Sequence, residues 1–216
     1  MNQEETVNLG LKQIGLTPRL INATEEKIPE EVRQALPASR TTGFGLIGTA
    51  GAGKSCAIAC RVRRTVTDYT KKYFEHFGLT DYDPRGSYDT RHALSGERVY
   101  QEINWLYWPD SAQVLQESAR TGEVPKGLNA RHDPRCLKSC KILILDDLGR
   151  ERYGSETYAC AVLESVLNHR YEHGLRTLWT SNLNGPELLE KYATPTMDRL
   201  CALAPVNGYL KRDSLR

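Results

Sequence analysis

No apolar run in this 216-residue chain approaches the roughly twenty residues that a helical membrane span needs, so a membrane-crossing helix is excluded. The first residues, Met1-Asn2-Gln3-Glu4-Glu5, lack both the basic start and the apolar stretch of a secretory signal, and the expected location is cytoplasmic. Net charge is small: 29 Lys and Arg against 27 Asp and Glu leave +2. General affinity for polyanions does not follow from that total, and any nucleic-acid surface is a local patch. Paired C-x-x-C motifs are missing. Cys136, Cys140 and the preceding His132 suggest a metal site, but zinc would lack its fourth ligand. The six cysteines therefore read as reduced structural thiols: Cys56 and Cys60 one helical turn apart and both able to face the core, Cys160 and Cys201 in apolar helical stretches.

What is present is a chain long enough for one domain with a proper core, or one domain with a modest appendage. Its organising stretch is Gly48-Thr49-Ala50-Gly51-Ala52-Gly53-Lys54-Ser55, which fits the phosphate-loop pattern G-x-x-x-x-G-K-[ST] at every fixed position. Before it, Gly43 to Ile47 reads as a buried strand. After it, Cys56 to Val62 reads as the first turns of a packed helix. The glycines let successive N–H groups turn toward phosphate oxygens, and the helix start near Lys54 adds its positive end. The pattern assigns Lys54 to the β- and γ-phosphates and the Ser55 hydroxyl to Mg²⁺. The plain alternative is a glycine turn that happens to end in Lys-Ser.

The second anchor is Lys141-Ile142-Leu143-Ile144-Leu145-Asp146-Asp147-Leu148-Gly149. Four consecutive apolar residues read as a strand buried on both faces. Its two carboxylates fall where open α/β sheets place ligands. One acid there commonly holds Mg²⁺ and a neighbour orients the attacking water; the alternative is a pair that caps the next helix. A third strand, Thr177-Leu178-Trp179-Thr180, ends in Ser181-Asn182. Asn182 reads either as a γ-phosphate or water contact or as a turn residue or helix cap.

Around these anchors, residues 1–42 form a leader with short helices at Val7 to Ile14 and Pro29 to Leu36, the second bordering a base pocket or lying on the surface. Residues 64–100 read as an irregular polar insertion. Its aromatics alternate with Arg64, Lys71, Lys72, Arg85, Arg91 and Arg98, a pattern that suits single-stranded nucleic acid, yet acids nearly cancel the charge and favour an ordinary solvated segment. Glu102 to Trp108 reads as a strand. Ser111 to Thr121 reads as a helix with Val114, Leu115 and Ala119 inward and Gly122 as its stop. Residues 122–139 read as a loop. Ser155 to Glu172 reads as a helix with Tyr158, Ala161, Val162, Ser165, Val166 and Tyr171 near helical spacing. A helix from Gly185 to Tyr192 is broken at Thr194-Pro195-Thr196, another begins at Met197, and Gly208 marks a turn in the tail.

Taken in order, GTAGAGKS (48–55), ILILDDLG (142–149), VLNHRYEHGLRTLWTSN (166–182), MDRL (197–200) and DSLR (213–216) resemble the DnaC/IstB-type AAA+ ATPases, the helicase loaders and transposon ATPase helpers. The resemblance covers about residues 43–63 and 100–216. It implies a P-loop α/β fold, a parallel sheet flanked by helices, with the leader at 1–42, an AAA+ domain at 43–216 and the insertion at about 64–100. It implies ATP and Mg²⁺ as cofactors, bound by Gly48, Thr49, Ala50, Gly51, Ala52, Gly53, Lys54, Ser55 and Cys56, with Ser55 and Asp146 at the metal. Asp147 becomes the water-activating acid, Asn182 the first sensor, Arg199 an arginine finger offered to a neighbouring subunit and Arg216 a second sensor. The implied partners are DNA, single-stranded favoured, a replicative helicase and further copies of the chain. The alternative is a transposition helper that binds duplex DNA and recruits a transposase. A small-molecule kinase would not need the Asp pair, Asn182 and Arg199 in this order, and an adaptor that uses ATP only to assemble would not turn it over.

Overall fold

In the computed structural model, the residues described are 1–39, 41–78, 80, 103–123, 131–152 and 157–210. The leader carries α1 (Gln3–Gln13), α2 (Pro18–Ile21) and α3 (Glu30–Gln34). The nucleotide-motif region follows as β1 (Phe44–Gly48), α4 (Lys54–Phe77), β2 (Ile103–Tyr107), α5 (Trp108–Thr121) and α6 (Pro134–Ser139). The rest is β3 (Ile142–Leu148), α7 (Tyr158–Glu172), β4 (Arg176–Ser181), α8 (Gly185–Tyr192), α9 (Thr194–Leu203) and β5 (Val206–Leu210).

Among the described residues the strands form one five-stranded sheet in the order β2-β3-β4-β1-β5, and every pairing is parallel. A parallel sheet needs both faces covered, and the apolar residues divide accordingly. Leu143 and Leu145 of β3 and Trp179 of β4 pack with α5, α7, α8 and α9. Ile144 of β3, Leu178 of β4 and Phe44 and Leu46 of β1 pack with α4 and the leader. Gly45 is the residue that admits Trp179 across β1, since a Cβ there would lie 2.2 Å from the indole. The indole N–H then donates to the Ala204 carbonyl at 2.9 Å, which holds the end of α9 against the sheet. The parallel sheet between helical layers is the α/β architecture that the motifs implied.

The leader belongs to this packing. Val7, Leu11, Ile14, Ile28 and Val32 share the core of β1 and α4. The Trp105 N–H donates to the Ile14 carbonyl at 2.9 Å, so the leader also covers the edge of β2. Arginines along α4 hold it: Arg61 donates to the Pro37 and Ser39 carbonyls, Arg63 to Asn8 and the Ile21 carbonyl, and Arg64 pairs with Glu25.

Several expectations are corrected. The polar segment starting at residue 64 is helical through Phe77, capped by Gly78 with a left-handed backbone. Its buried face, with Val62, Val66, Thr70 and Phe74, recurs at helical spacing between charged positions. The remaining residues of that expected insertion, 79 and 81–100, lie outside those described. Residues 134–139 are a helix rather than loop, with Asp133 as its N-cap. The inner face of α5 is Trp108, Ser111, Ala112 and Leu115, with Ala119 outward and Val114 only partly covered. In α7 the inner face is Ala159, Cys160, Val162, Leu163, Val166, Leu167 and Arg170, while Tyr158, Ala161, Ser165 and Tyr171 face out. The break between α8 and α9 is Ala193, whose φ is 62, and Thr194-Pro195 begin α9. Gly208 is a bulge residue inside a strand, because β5 pairs with β1 across a register shift. Cys60 is buried, whereas Cys56 is only half-buried and Cys201 is exposed.

Candidate functional site

The glycine loop runs from the C-terminal end of β1 into α4. Gly51 and Gly53 have φ of 82 and 90, a region that side chains with a Cβ rarely adopt. A Cβ on Gly53 would also lie 3.0 Å from Pro29, so the leader borders this loop. Lys54 is buried. Its ammonium donates to the Gly48 carbonyl, the Thr49 carbonyl and Asn182 Oδ1, each at 2.8 Å. Burial lowers its pKa, with the charges of Asp147 and Asp146 opposing. All three N–H bonds of the ammonium thus converge on acceptors that a phosphate oxygen could replace.

The neighbouring strands deliver the acids. Tyr107 pairs with Asp146 in register, and the β3-β4 register shifts between Leu145 and Leu148. Within that bulge Asp147 takes a φ of 63, uncommon for a residue other than glycine. Thr180 of β4 secures both acids: its hydroxyl donates to Asp146 Oδ1 at 2.6 Å and accepts from the Asp147 N–H at 2.9 Å. Ser55 Oγ donates to the same Asp146 oxygen at 2.7 Å. Burial raises the Asp146 pKa above the ordinary carboxylate value, and the Thr180 and Ser55 hydrogen bonds oppose the shift. Asp147 accepts from Asn182 Nδ2 at Oδ1 and from Arg150 Nη1 at Oδ2, the latter at 3.1 Å. The Tyr107 phenol lies beside Asp147, and burial followed by that charge raises its pKa.

The structure therefore brings Lys54, Ser55, Asp146, Asp147 and Asn182 together at the C-terminal edge of β1, β3 and β4. Asn182 acts here as a bridge and not as a helix cap; Asn184 caps α8. Ser55 and Asp146 fit a hard divalent cation: a hydroxyl and a buried carboxylate already converge, and the carboxylate sits where a positive charge would offset its burial. Such a cation would supply charge neutralisation for terminal phosphates.

Arg199 is not part of this cluster. Its guanidinium donates to the Pro195 carbonyl in its own helix at 3.1 Å. Arg216 lies outside the described residues. Thr180 was missed as a site residue, although a threonine in the strand beside an Asp pair was the available signal. Glu151, the other acid near the motif, is buried and committed elsewhere: it accepts from the Tyr192 hydroxyl at 2.6 Å and the Gly149 N–H at 3.0 Å. Among the described residues no group of three or more His, Cys, Asp or Glu is placed to hold a metal. Cys140 instead packs against the buried Arg170, whose Nη1 lies 3.4 Å from its sulfur. Among the described residues no helix is long and apolar enough to cross a membrane.

No family model matches the sequence, and no curated protein matches it. Solved structures do. The DnaC helicase loader is similar over 90% of this chain and 99% of its own, at 15% identity and a TM-score of 0.54. DnaI is similar over 94% and 95%, at 16% identity and 0.55. A protein described as a primosome component from Streptococcus pyogenes serotype M3 is similar over 95% and 96%, at 18% identity and 0.54. The fold expected from the motifs is thus shared with these solved structures over nearly the whole of each chain.

Proposed function

We propose that this chain is an ATP-binding and ATP-hydrolysing helicase loader. The observation that carries the reading is the convergence of Lys54, Asn182, Ser55, Asp146 and Asp147 on one sheet edge. In this reading the glycine loop and Lys54 hold the phosphates of ATP, and Ser55 and Asp146 hold Mg²⁺. Asp147 accepts the proton of the attacking water, and Asn182 orients that water or the terminal phosphate. The fold shared with DnaC and DnaI supports the task of delivering a replicative helicase to DNA, with single strands favoured and several copies assembled on ATP. The chain then works in the cytoplasm. Arg199 would complete a neighbour's site.

The test measures ATP turnover with single- or double-stranded DNA, and helicase loading onto single strands, for the wild type and Lys54→Ala. Turnover and loading that both require Lys54 support the proposal. A preference for duplex DNA with capture of a transposase would replace the loader by a transposition helper. Absence of nucleotide binding would end both.

A further inference from the structure

The C-terminal end of α7 carries two histidines, His169 and His173, that take no part in the nucleotide cluster. On a helix the spacing i, i+4 puts two side chains on one face, and it is the spacing at which paired histidines bind zinc. The two rings are stacked, with centroids 4.0 Å apart and planes inclined by 26°. His169 is half-buried and His173 is exposed, so both rings can turn toward solvent.

One hydrogen bond sets the chemistry. His173 Nδ1 lies 2.8 Å from the His169 carbonyl oxygen. A carbonyl oxygen only accepts, so Nδ1 carries the proton and donates it. In the neutral ring Nε2 then holds the lone pair. A metal-bound histidine has the same arrangement, with its other ring N–H tied to a carbonyl or carboxylate. The spacing also fits one ion. Zn–N bonds of about 2.0–2.1 Å in a tetrahedral site separate two nitrogens by about 3.3 Å. The ring centroids are 4.0 Å apart, and rotation about the side-chain bonds closes the difference.

The helix end adds its field. The last carbonyls of a helix carry partial negative charge and favour a cation. Glu172 is the acid near His169, and Lys138 and Arg170 are the opposing cations. Arg170 is turned inward, its guanidinium engaged with Thr177 and the carbonyls of Leu137 and Cys140. The plain alternative is a stacked pair that only caps the helix, where the His173 backbone N–H also donates to the His169 carbonyl.

We propose that His169 and His173 form a two-histidine site for a divalent transition ion that prefers imidazole nitrogen, such as Zn²⁺, with water in its other positions. β4 starts just beyond this helix end at Arg176 and runs to Ser181, next to Asn182. The site therefore lies at the opposite sheet edge from the nucleotide cluster and does not rest on the proposed function.

The test is calorimetric titration of the full chain with Zn²⁺, paired with nitrogen-15 NMR of the histidine rings. Zinc should shift the ring-nitrogen resonances of both His169 and His173. His169→Ala and His173→Ala should each weaken that binding by about tenfold or more, because a single ring loses the advantage of chelation. His173→Asn keeps an N–H for the His169 carbonyl but supplies no imidazole, so it should weaken binding as much as His173→Ala. Cys201→Ala removes an exposed thiol and should leave the binding in place. Wild-type zinc affinity in His173→Asn overturns the proposal and leaves the pair a helix cap. Loss of binding in Cys201→Ala assigns the ion to a thiol and overturns it too, as does zinc that leaves both rings unshifted.

Discussion

Lys54 Nζ and Asn182 Oδ1 lie 2.8 Å apart although 128 positions separate them in sequence. The bond joins the first turn of α4 to the end of β4, and Asn182 passes it on to Asp147. One amide therefore touches both the cation proposed to bind phosphate and the proposed base. In the proposed function, a change at the terminal phosphate would reach the acid through a single side chain.

Lys54→Ala removes that cation. The fold should persist, because the core beneath the loop is built by Ile47, Ala57 and Ile58. ATP affinity or turnover should be lost with little change in the thermal midpoint. Calorimetric titration alongside thermal unfolding checks this; a folded variant that binds and hydrolyses ATP normally would remove the phosphate-loop assignment.

The two acids should separate by role. Asp147→Asn should keep Mg·ATP bound and stall hydrolysis, since it removes a base. Asp146→Asn retains an acceptor oxygen for Ser55 and Thr180 but loses the charge, so a higher Mg²⁺ concentration should be needed for ATP binding. Thr180→Val deletes both bonds that secure the acids and leaves the Asp147 N–H without its partner. It should cost about 1–3 kcal/mol of stability and also weaken the Mg²⁺ response. Magnesium titrations of ATP binding, with urea unfolding for the third variant, distinguish these outcomes. Residual turnover in Asp147→Asn should not be ascribed to Glu151, which is buried against Tyr192 and Gly149.

The central machinery was legible because it is local. The glycine loop is contiguous, and Ile142 to Leu145 announce a buried strand before the Asp pair. The pieces that escaped depend on partners far away in sequence. β5 is a short strand with Val206 and Tyr209 exposed, and only its pairing with β1 makes it one. The helical continuation through Phe77 was hidden by many charged residues, of which Arg64 pairs with Glu25 of the leader. Of the α7 residues read near helical spacing only Val162 and Val166 face inward, and the inner face also carries an arginine that no apolar pattern announces. Arg170 is fully buried, and its guanidinium bonds Thr177 Oγ1 and the carbonyls of Leu137, Cys140 and Arg176. A charged residue satisfied by backbone carbonyls interrupts the apolar pattern at that one position.

The Cys140 thiol beside Arg170 gives the fold an alkaline limit. Burial pushes its pKa from 9.0 up to about 11, with Arg170 opposing. A raised folded-state pKa means that its stabilising contribution is complete below the unfolded value of 9.0 and is lost as pH rises through about 11. Two units correspond to about 2–3 kcal/mol at the alkaline end. Urea unfolding should therefore show a steeper loss between pH 8 and 11 in the wild type than in Cys140→Ala. Parallel pH profiles for the two proteins would refute the assignment.

Arg199 should act across a subunit boundary. Within one chain its guanidinium is directed to the Pro195 carbonyl on α9, while Lys54 and Asp147 are joined through Asn182 without it. The plain alternative is a surface arginine that makes a local bond worth roughly 0–1 kcal/mol and has no bearing on turnover. In the proposed assembly a guanidinium from one copy would stabilise charge on the phosphoryl group transferred in the next, an effect of order 10³ or more for arginine fingers generally. Arg199→Ala should then bind ATP normally and hydrolyse it poorly. Mixed with Lys54→Ala it should recover part of the activity, because one variant supplies an intact pocket and the other an intact finger. Full activity in Arg199→Ala alone would eliminate the finger. Low activity without recovery, in a mixture shown by sizing to co-assemble, would place the action of Arg199 within its own subunit.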